Sequence, residues 1–321
     1  MFVAMRVSGI TLRRVAAALL AAAALSIAPV AKAVTVRDAA GRTIEVKDAS
    51  RIVSVGGAVT EILYALGLAD RIVAVDTTSL FPAEALQRKK NVGYMRALSA
   101  EGVLGLNPSL VLAIEGSGPK ETIAVLEAAA VPLVRVPDRH TAEGIIEKIE
   151  AVATVAGEGA RGKELACQVS GDLATLADLR TKIAQPKKVM FVLSFLNGKP
   201  MVAGRNTAAD GIIKLAGGVN AIDAYEGYKQ IADEAVIAAN PDTVLVMQRQ
   251  QDPLDAKTVF AHAAFTMTQA AAQNSFVAMD GLYLLGFGPR TARAARDLAA
   301  QLYPALAGEK LPSEGKRAGC Y

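Results

Sequence analysis

The chain has no tryptophan, two histidines and two cysteines among 321 residues, and each scarcity excludes something. His140 and His262 cannot alone assemble a histidine-rich zinc or manganese centre, and neither has a cysteine or carboxylate at tight ligand spacing. Each reads as a solvated or capping side chain, His140 at a helix start. Cys167 and Cys320 are too few for a disulfide framework. We read them as unrelated thiols, although an oxidising compartment would let them pair. The GxSxG elbow, HExxH, CxxC and Walker A patterns are missing, so an enzymatic reading has no catalytic constellation to rest on. "GSG" at 116–118 and "GFGPR" at 286–290 lack the setting of a dinucleotide site and read as turns.

What is present begins with a targeting segment. Residues 1–33 have a basic start (Arg6, Arg13, Arg14), an apolar run from Val15 to Val30 and a small-x-small end, "AKA". That is the pattern of a secretory signal peptide, cut near Ala33, and the run is short for a spanning helix. No cysteine follows the cut, so a lipid anchor is not indicated. The segment also carries Lys32 and no acid, so its removal takes the formal +4 to zero. The basic isoelectric point is therefore no argument for nucleic acid. A soluble exported protein is the plain reading.

Beyond residue 33, apolar runs alternate with helical periodicity, the mark of an α/β chain. "RIVSVGG", "DRIVAVD", "SLVLAI" (109–114) and "PLVRVP" (132–137) read as an early group of buried strands. "KVMFVLSF" (188–195), "TVLVMQ" (243–248) and "FVAMD" (276–280) form a late group. Residues 141–186 between them have helical periodicity and no convincing strand. A helix of about 25 residues there would span nearly 40 Å and serve as a strut. Two copies of one pattern, "SAEGVLGLNPSLVLAI" from Ser99 and "ADEAVIAANPDTVLVM" from Ala232, lie 133 residues apart. Each has a glutamate near a helix start, where the dipole favours it, and an Asn-Pro that closes the helix. The expected organisation is an N-terminal lobe over 34–140, a connecting helical segment over 141–186 and a similar C-terminal lobe over 187–321.

One tyrosine stands apart. Tyr64 lies in an amphipathic helix and reads as a core edge, but Tyr94 precedes a helix capped by Ser99 and so belongs to a loop. Loops at strand ends of α/β sheets are where ligands bind. A phenol ligates metal poorly while protonated, so it needs positive charge close by, and Arg96 is two residues away. Ferric iron drives deprotonation further, and tyrosinate is an axial ligand of ferric haem. Haem also carries two propionates, for which Arg88, Lys89, Lys90, Arg205 and Arg249 are candidate partners.

On "RIVSVGGAVTEILYALG", "DTTSLFP", "NVGYMRALSAEG", "GRNTAADGIIKLAGGVNA" and "YEGYKQIADEAVIAANPD", the chain resembles the periplasmic haem-binding proteins of bacterial haem-uptake ABC transporters. These sit within a larger class that also binds cobalamin and ferric siderophores. The resemblance runs from about Val36 to Pro304. It implies two lobes of sheet flanked by helices, joined by one long helix, with the ligand between them. It implies that Tyr94 is the axial ligand of haem iron and Arg96 its hydrogen-bonding partner. It also implies that Glu101 and Glu234 meet arginines of an inner-membrane permease that works with its ATPase. Some relatives use a second-lobe histidine for a second haem, and "SFLNGKP" offers none where it is expected. Arg249, after the repeated strand, is placed to approach the open iron face or a propionate. The whole describes a monomeric, non-enzymatic haem carrier of the periplasm. A ferric-siderophore or cobalamin carrier of the same fold is the alternative.

Overall fold

The computed structural model describes residues 33–248 and 254–314. A hairpin opens it, β1 (Val34–Arg37) paired antiparallel with β2 (Thr43–Val46). The first main sheet contains β3 (Ile52–Val55), β4 (Ile72–Val75), β5 (Lys90–Asn91), β6 (Leu110–Ile114) and β7 (Leu133–Val136). Its order is β5-β4-β3-β6-β7, and every neighbouring pair is parallel. β3 and β6 are buried along their whole length, which is why they read as runs of mostly valine, isoleucine and leucine.

The second sheet contains β8 (Lys188–Leu196), β9 (Lys199–Ala203), β10 (Val219–Asn220), β11 (Tyr228–Gln230), β12 (Thr243–Gln248) and β13 (Phe276–Asp280). Its path is β11-β9-β8-β12-β13, with β10 paired to β8. β8, β12, β13 and β10 run parallel, and the β8–β9 hairpin adds an antiparallel edge. Each of the two sheets is drawn from one of the two strand groups legible in the sequence.

The repeated pattern occupies matching places. Ser99 caps the helix Ala100–Leu104 by accepting from the Gly102 amide at 3.3 Å, and β6 follows. Its counterpart, helix Asp233–Ala239, leads into β12. β6 and β12 hold the same position, fourth along the main path of five strands, in their sheets. The asparagine of each Asn-Pro, Asn107 and Asn240, adopts the left-handed conformation at φ 49° and 39°. Asparagine tolerates that region better than most side chains, so it turns the chain out of the helix.

The segment between the sheets holds two helices, Ala142–Val155 and Gly159–Thr181. Gly157, at φ 75°, breaks them apart, and they pack closely enough that a Cβ on Gly162 would lie 2.2 Å from that of Ala153. The strut is thus the second helix, 23 residues and roughly 35 Å long. Cys167 on its exposed side is disulfide-bonded, which corrects the reading of two free thiols, while Cys320 lies outside the described residues. An exposed helical thiol keeps the access that oxidation requires.

The largest hydrophobic cluster is continuous across both sheets, joining Ile52, Val59 and Leu112 to Val189, Phe191 and Leu298. Residues 1–32, which hold most of the expected signal peptide, lie outside the described residues. Among the described residues no helix is long and apolar enough to cross a membrane.

Candidate ligand-binding site

In the parallel first sheet the loops after β4, β5 and β6 leave from one edge, and the loop after β5 carries Tyr94. Its neighbours hold it by the backbone. Thr77 N–H donates to Gly93 O at 2.9 Å, Gly118 N–H to Met95 O at 3.0 Å, and Leu98 N–H to Gly118 O at 3.0 Å. Asn91 Oδ1 accepts from the Gly93 amide at 2.7 Å, and Gly93 takes φ 89°, the region where glycine meets no steric cost. Ala97 N–H then closes a turn onto Tyr94 O at 2.7 Å.

That turn sorts the side chains. Met95 packs down against the core clusters, while Tyr94 and Arg96 remain exposed on the outer side. Arg96 Nη1 donates to Tyr94 Oη at 2.8 Å. The phenol oxygen thus has a charged donor on one lone pair, and its second lone pair stays available to a Lewis acid. Tyr94 is 43% exposed, so the oxygen can be reached.

The cluster of positive charge is less concentrated than the sequence implies. Lys89 Nζ is taken by Ala69 O at 2.7 Å, and the Arg88 charge acts on the Tyr64 phenol. Burial raises the Tyr64 pKa, with the Glu84 charge adding to it and Arg88 opposing. Lys90 is exposed on β5. Arg205 is exposed in the loop after β9, its amide bonded to Tyr225 O at 2.8 Å and its carbonyl to the Gly227 amide at 3.0 Å. Arg249 lies outside the described residues.

Sequence reasoning did not single out Tyr228. It begins β11, a three-residue edge strand whose residues are all exposed. Tyr228 is 37% exposed overall, but its ring packs edge-on against Phe191, and desolvation there raises the phenol pKa, opposed by the Ala209 amide, the Thr207 hydroxyl and the Arg96 charge. The Arg96 charge therefore acts on phenols from both sheets and bonds one of them. The only signal in the sequence was the "GY" of "EGYKQ", too short a strand to announce itself.

His262 caps the helix Ala256–Ala261 and lies on the segment Ser194–Pro200. Its Nε2–H donates to Gly198 O at 2.6 Å, and its Nδ1 accepts from the Ala264 amide at 3.2 Å. Both ring nitrogens are engaged, so this is a structural histidine. It helps line a cavity of about 270 Å³ inside the second lobe, with Phe195, Met247 and Thr258, that does not include Tyr94. His140 is neither solvated nor a cap: it is half-buried, with its ring centroid 5.0 Å from that of Phe287. Glu101 and Glu234 are both exposed in the first turns of their helices.

The architecture has known counterparts. The periplasmic heme-binding protein RhuT from Roseiflexus sp. RS-1, in its apo form, is 40% identical, with a TM-score of 0.75 over 81% of this chain and 100% of that one. An uncharacterized ABC transporter substrate-binding lipoprotein, YvrC of Bacillus subtilis (strain 168), is 27% identical over 84% of this chain and 86% of its own length. A vitamin B12-binding protein of Yersinia pestis (strain Pestoides F) is 27% identical over 65% of this chain and 73% of its own. The profile of the periplasmic binding protein family matches residues 52–282, from the first strand of one sheet to just past the last strand of the other. With two like sheets bridged by a long helix and a ligand-type loop at a strand edge, the chain belongs to the periplasmic binding protein family.

Proposed function

We propose that this protein is the exported carrier of a haem-uptake ABC transporter, and that it binds ferric haem between its lobes through Tyr94. The observation that carries the reading is the 2.8 Å hydrogen bond from Arg96 to an accessible phenol oxygen, in the loop after β5. Arg96 offers the phenol oxygen a charged hydrogen-bond donor, and ferric iron would supply the charge that favours tyrosinate. Lys90 and Arg205, both exposed, and Arg249 are the cations offered to propionates. The solved heme-binding relative supports haem as the ligand. The protein acts as a monomer and leaves the chemistry of its cargo unchanged.

Delivery rests on Glu101 and Glu234, one acid on each lobe at matching places in the two sheets. A permease made of two like halves presents two equivalent surfaces, and each acid meets a basic group on one of them. Such rim charges orient more than they bind.

The similarity to a vitamin B12-binding protein favours a second reading, a cobalamin carrier. Titration of the purified mature protein with ferric haem, and separately with cyanocobalamin, separates the two. A sharpened Soret band saturating with haem, and no binding of cyanocobalamin, is the expected result. Saturable cyanocobalamin binding without a haem spectrum would replace the proposal with the alternative.

A further inference from the structure

The turn Gly286–Arg290 of the second lobe is gripped at two points by residues that precede that lobe in the chain. At one end Lys148, fully buried on the helix Ala142–Val155, donates to Phe287 O at 3.2 Å and to Asp138 Oδ1 at 2.5 Å. At the other end Glu61, on the helix Gly57–Ala65, accepts from Arg290 Nη2 at 2.8 Å and from the Arg290 amide at 3.1 Å. The Glu61 side chain is only 6% exposed, so this ion pair sits where water screens it little.

The grip fits tightly. Phe287 holds φ 49°, a region costly for a bulky side chain, and its ring packs edge-on against His140. A Cβ on Gly211 would lie 2.8 Å from Phe287 Cζ, and one on Gly57 would lie 2.6 Å from Leu282 Cδ1. The same Gly211 Cβ would lie 2.4 Å from His140 O, so the second lobe meets the first at Gly211 and His140 and again at Leu282 and Gly57.

The same turn reaches the ligand loops. The Arg290 guanidinium carbon lies 3.6 Å from the centroid of the Phe81 ring and 5.2 Å from that of Tyr283. Phe81 belongs to the loop after β4, whose Thr77 amide holds Gly93, the residue before Tyr94. We infer that Gly286–Arg290 is an interlobe clamp, and that Glu61, Phe81 and Arg290 are positioning residues that set the spacing between the Tyr94 wall and the wall carrying Tyr228. This rests on the reading that the ligand sits between those walls. A flat rigid ligand gains most when both walls already stand at its thickness, because no ordering remains to be done on binding.

The test measures the spacing in the ligand-free protein. Spin labels carried by non-cysteine amino acids at exposed Glu121 and Asp223, one in each lobe, report a distance distribution by pulsed electron resonance. Two variants are compared with the parent: Glu61→Gln with Arg290→Gln, which keeps a hydrogen-bonded pair without charge, and Phe81→Leu, a change at an exposed ring. Melting temperature confirms that each is folded. Both variants should broaden the distribution and weaken ferric haem binding about tenfold, within the range of ordinary coupling between sites. The spectrum at saturating haem should keep its tyrosinate form. Unchanged distances in both variants would overturn the clamp, and broadened distances with unchanged haem affinity would overturn the positioning role. Tyr94→Phe is the separating control, since it should alter haem binding and leave the distances alone. If the parent binds no haem, the ligand reading fails while the distances still decide the clamp.

Discussion

At the residue scale the account turns on what single side chains are free to do. The loop setting of Tyr94 and its pairing with Arg96 were legible, and Arg96 donates to it; its role as an iron ligand is the proposal. Lys89 could not be assigned from sequence, since only the fold shows that a backbone carbonyl takes its ammonium. Tyr228 was hidden for the opposite reason: a three-residue exposed edge strand carries no apolar pattern. Arg96→Ala should leave haem bound but shift its spectrum, because the phenolate loses a donor and becomes more basic; an absorption spectrum at saturation checks it. Asp138 supplies a second residue-scale prediction. Burial opposes its ionisation, but the His140 hydrogen bond and the Lys148 charge outweigh burial and hold its pKa at about 2. Asp138→Asn strands the buried Lys148 ammonium and should cost about 3–5 kcal/mol in denaturant unfolding at neutral pH. The folded pKa lies below the unfolded one, so this stability is present above about pH 4 and is lost as pH falls through about 2. The gap between parent and variant should close over that window.

At the element scale the longer apolar strands were readable, edge strands β7 and β13 among them, and the shortest and half-exposed strands were not. "RIVSVGG", "SLVLAI", "TVLVMQ" and "FVAMD" became β3, β6, β12 and β13, because parallel strands covered by helices are rich in branched and other apolar side chains. β5, β10 and β11 are two or three residues long, and β1 and β2 are half exposed, so neither period nor run length marks them. Residues 141–186 read as helix, but their division did not. Alanine and glycine at 156 and 157 look like small helix residues until Gly157 is seen at positive φ. The resulting helix pair depends on close approach at Gly162. Gly162→Ala should lower stability by about 1–3 kcal/mol through overpacking against Ala153, despite alanine's better helix propensity. A rise in melting temperature would show that the helices can part without cost.

At the scale of the whole molecule, one hydrophobic cluster runs through both lobes, and two buried polar bridges tie the second lobe to the first. Large opening would expose that cluster, so on the proposed function loading and release would work mainly through the loops. Fold class and the like lobes were legible because a repeated helix–strand pattern was. The contact between lobes was not: "GFGPR" reads as an ordinary turn, and nothing local reveals Glu61 as its partner. Glu101→Lys with Glu234→Lys should leave haem binding in solution intact while abolishing haem-dependent ATPase stimulation of the reconstituted transporter, with each single reversal intermediate. Raised salt should weaken the parent's stimulation as well, because exposed charges are screened. Normal stimulation by the double variant would reduce both acids to helix-start residues. The central claim is that one phenolate holds the iron, and the most direct measurement compares ferric haem spectra of the parent and Tyr94→Phe. The account predicts a high-spin tyrosinate spectrum in the parent that disappears in the variant, together with most of the affinity, while the melting temperature of the empty protein is unchanged. An identical spectrum and affinity in Tyr94→Phe would contradict it.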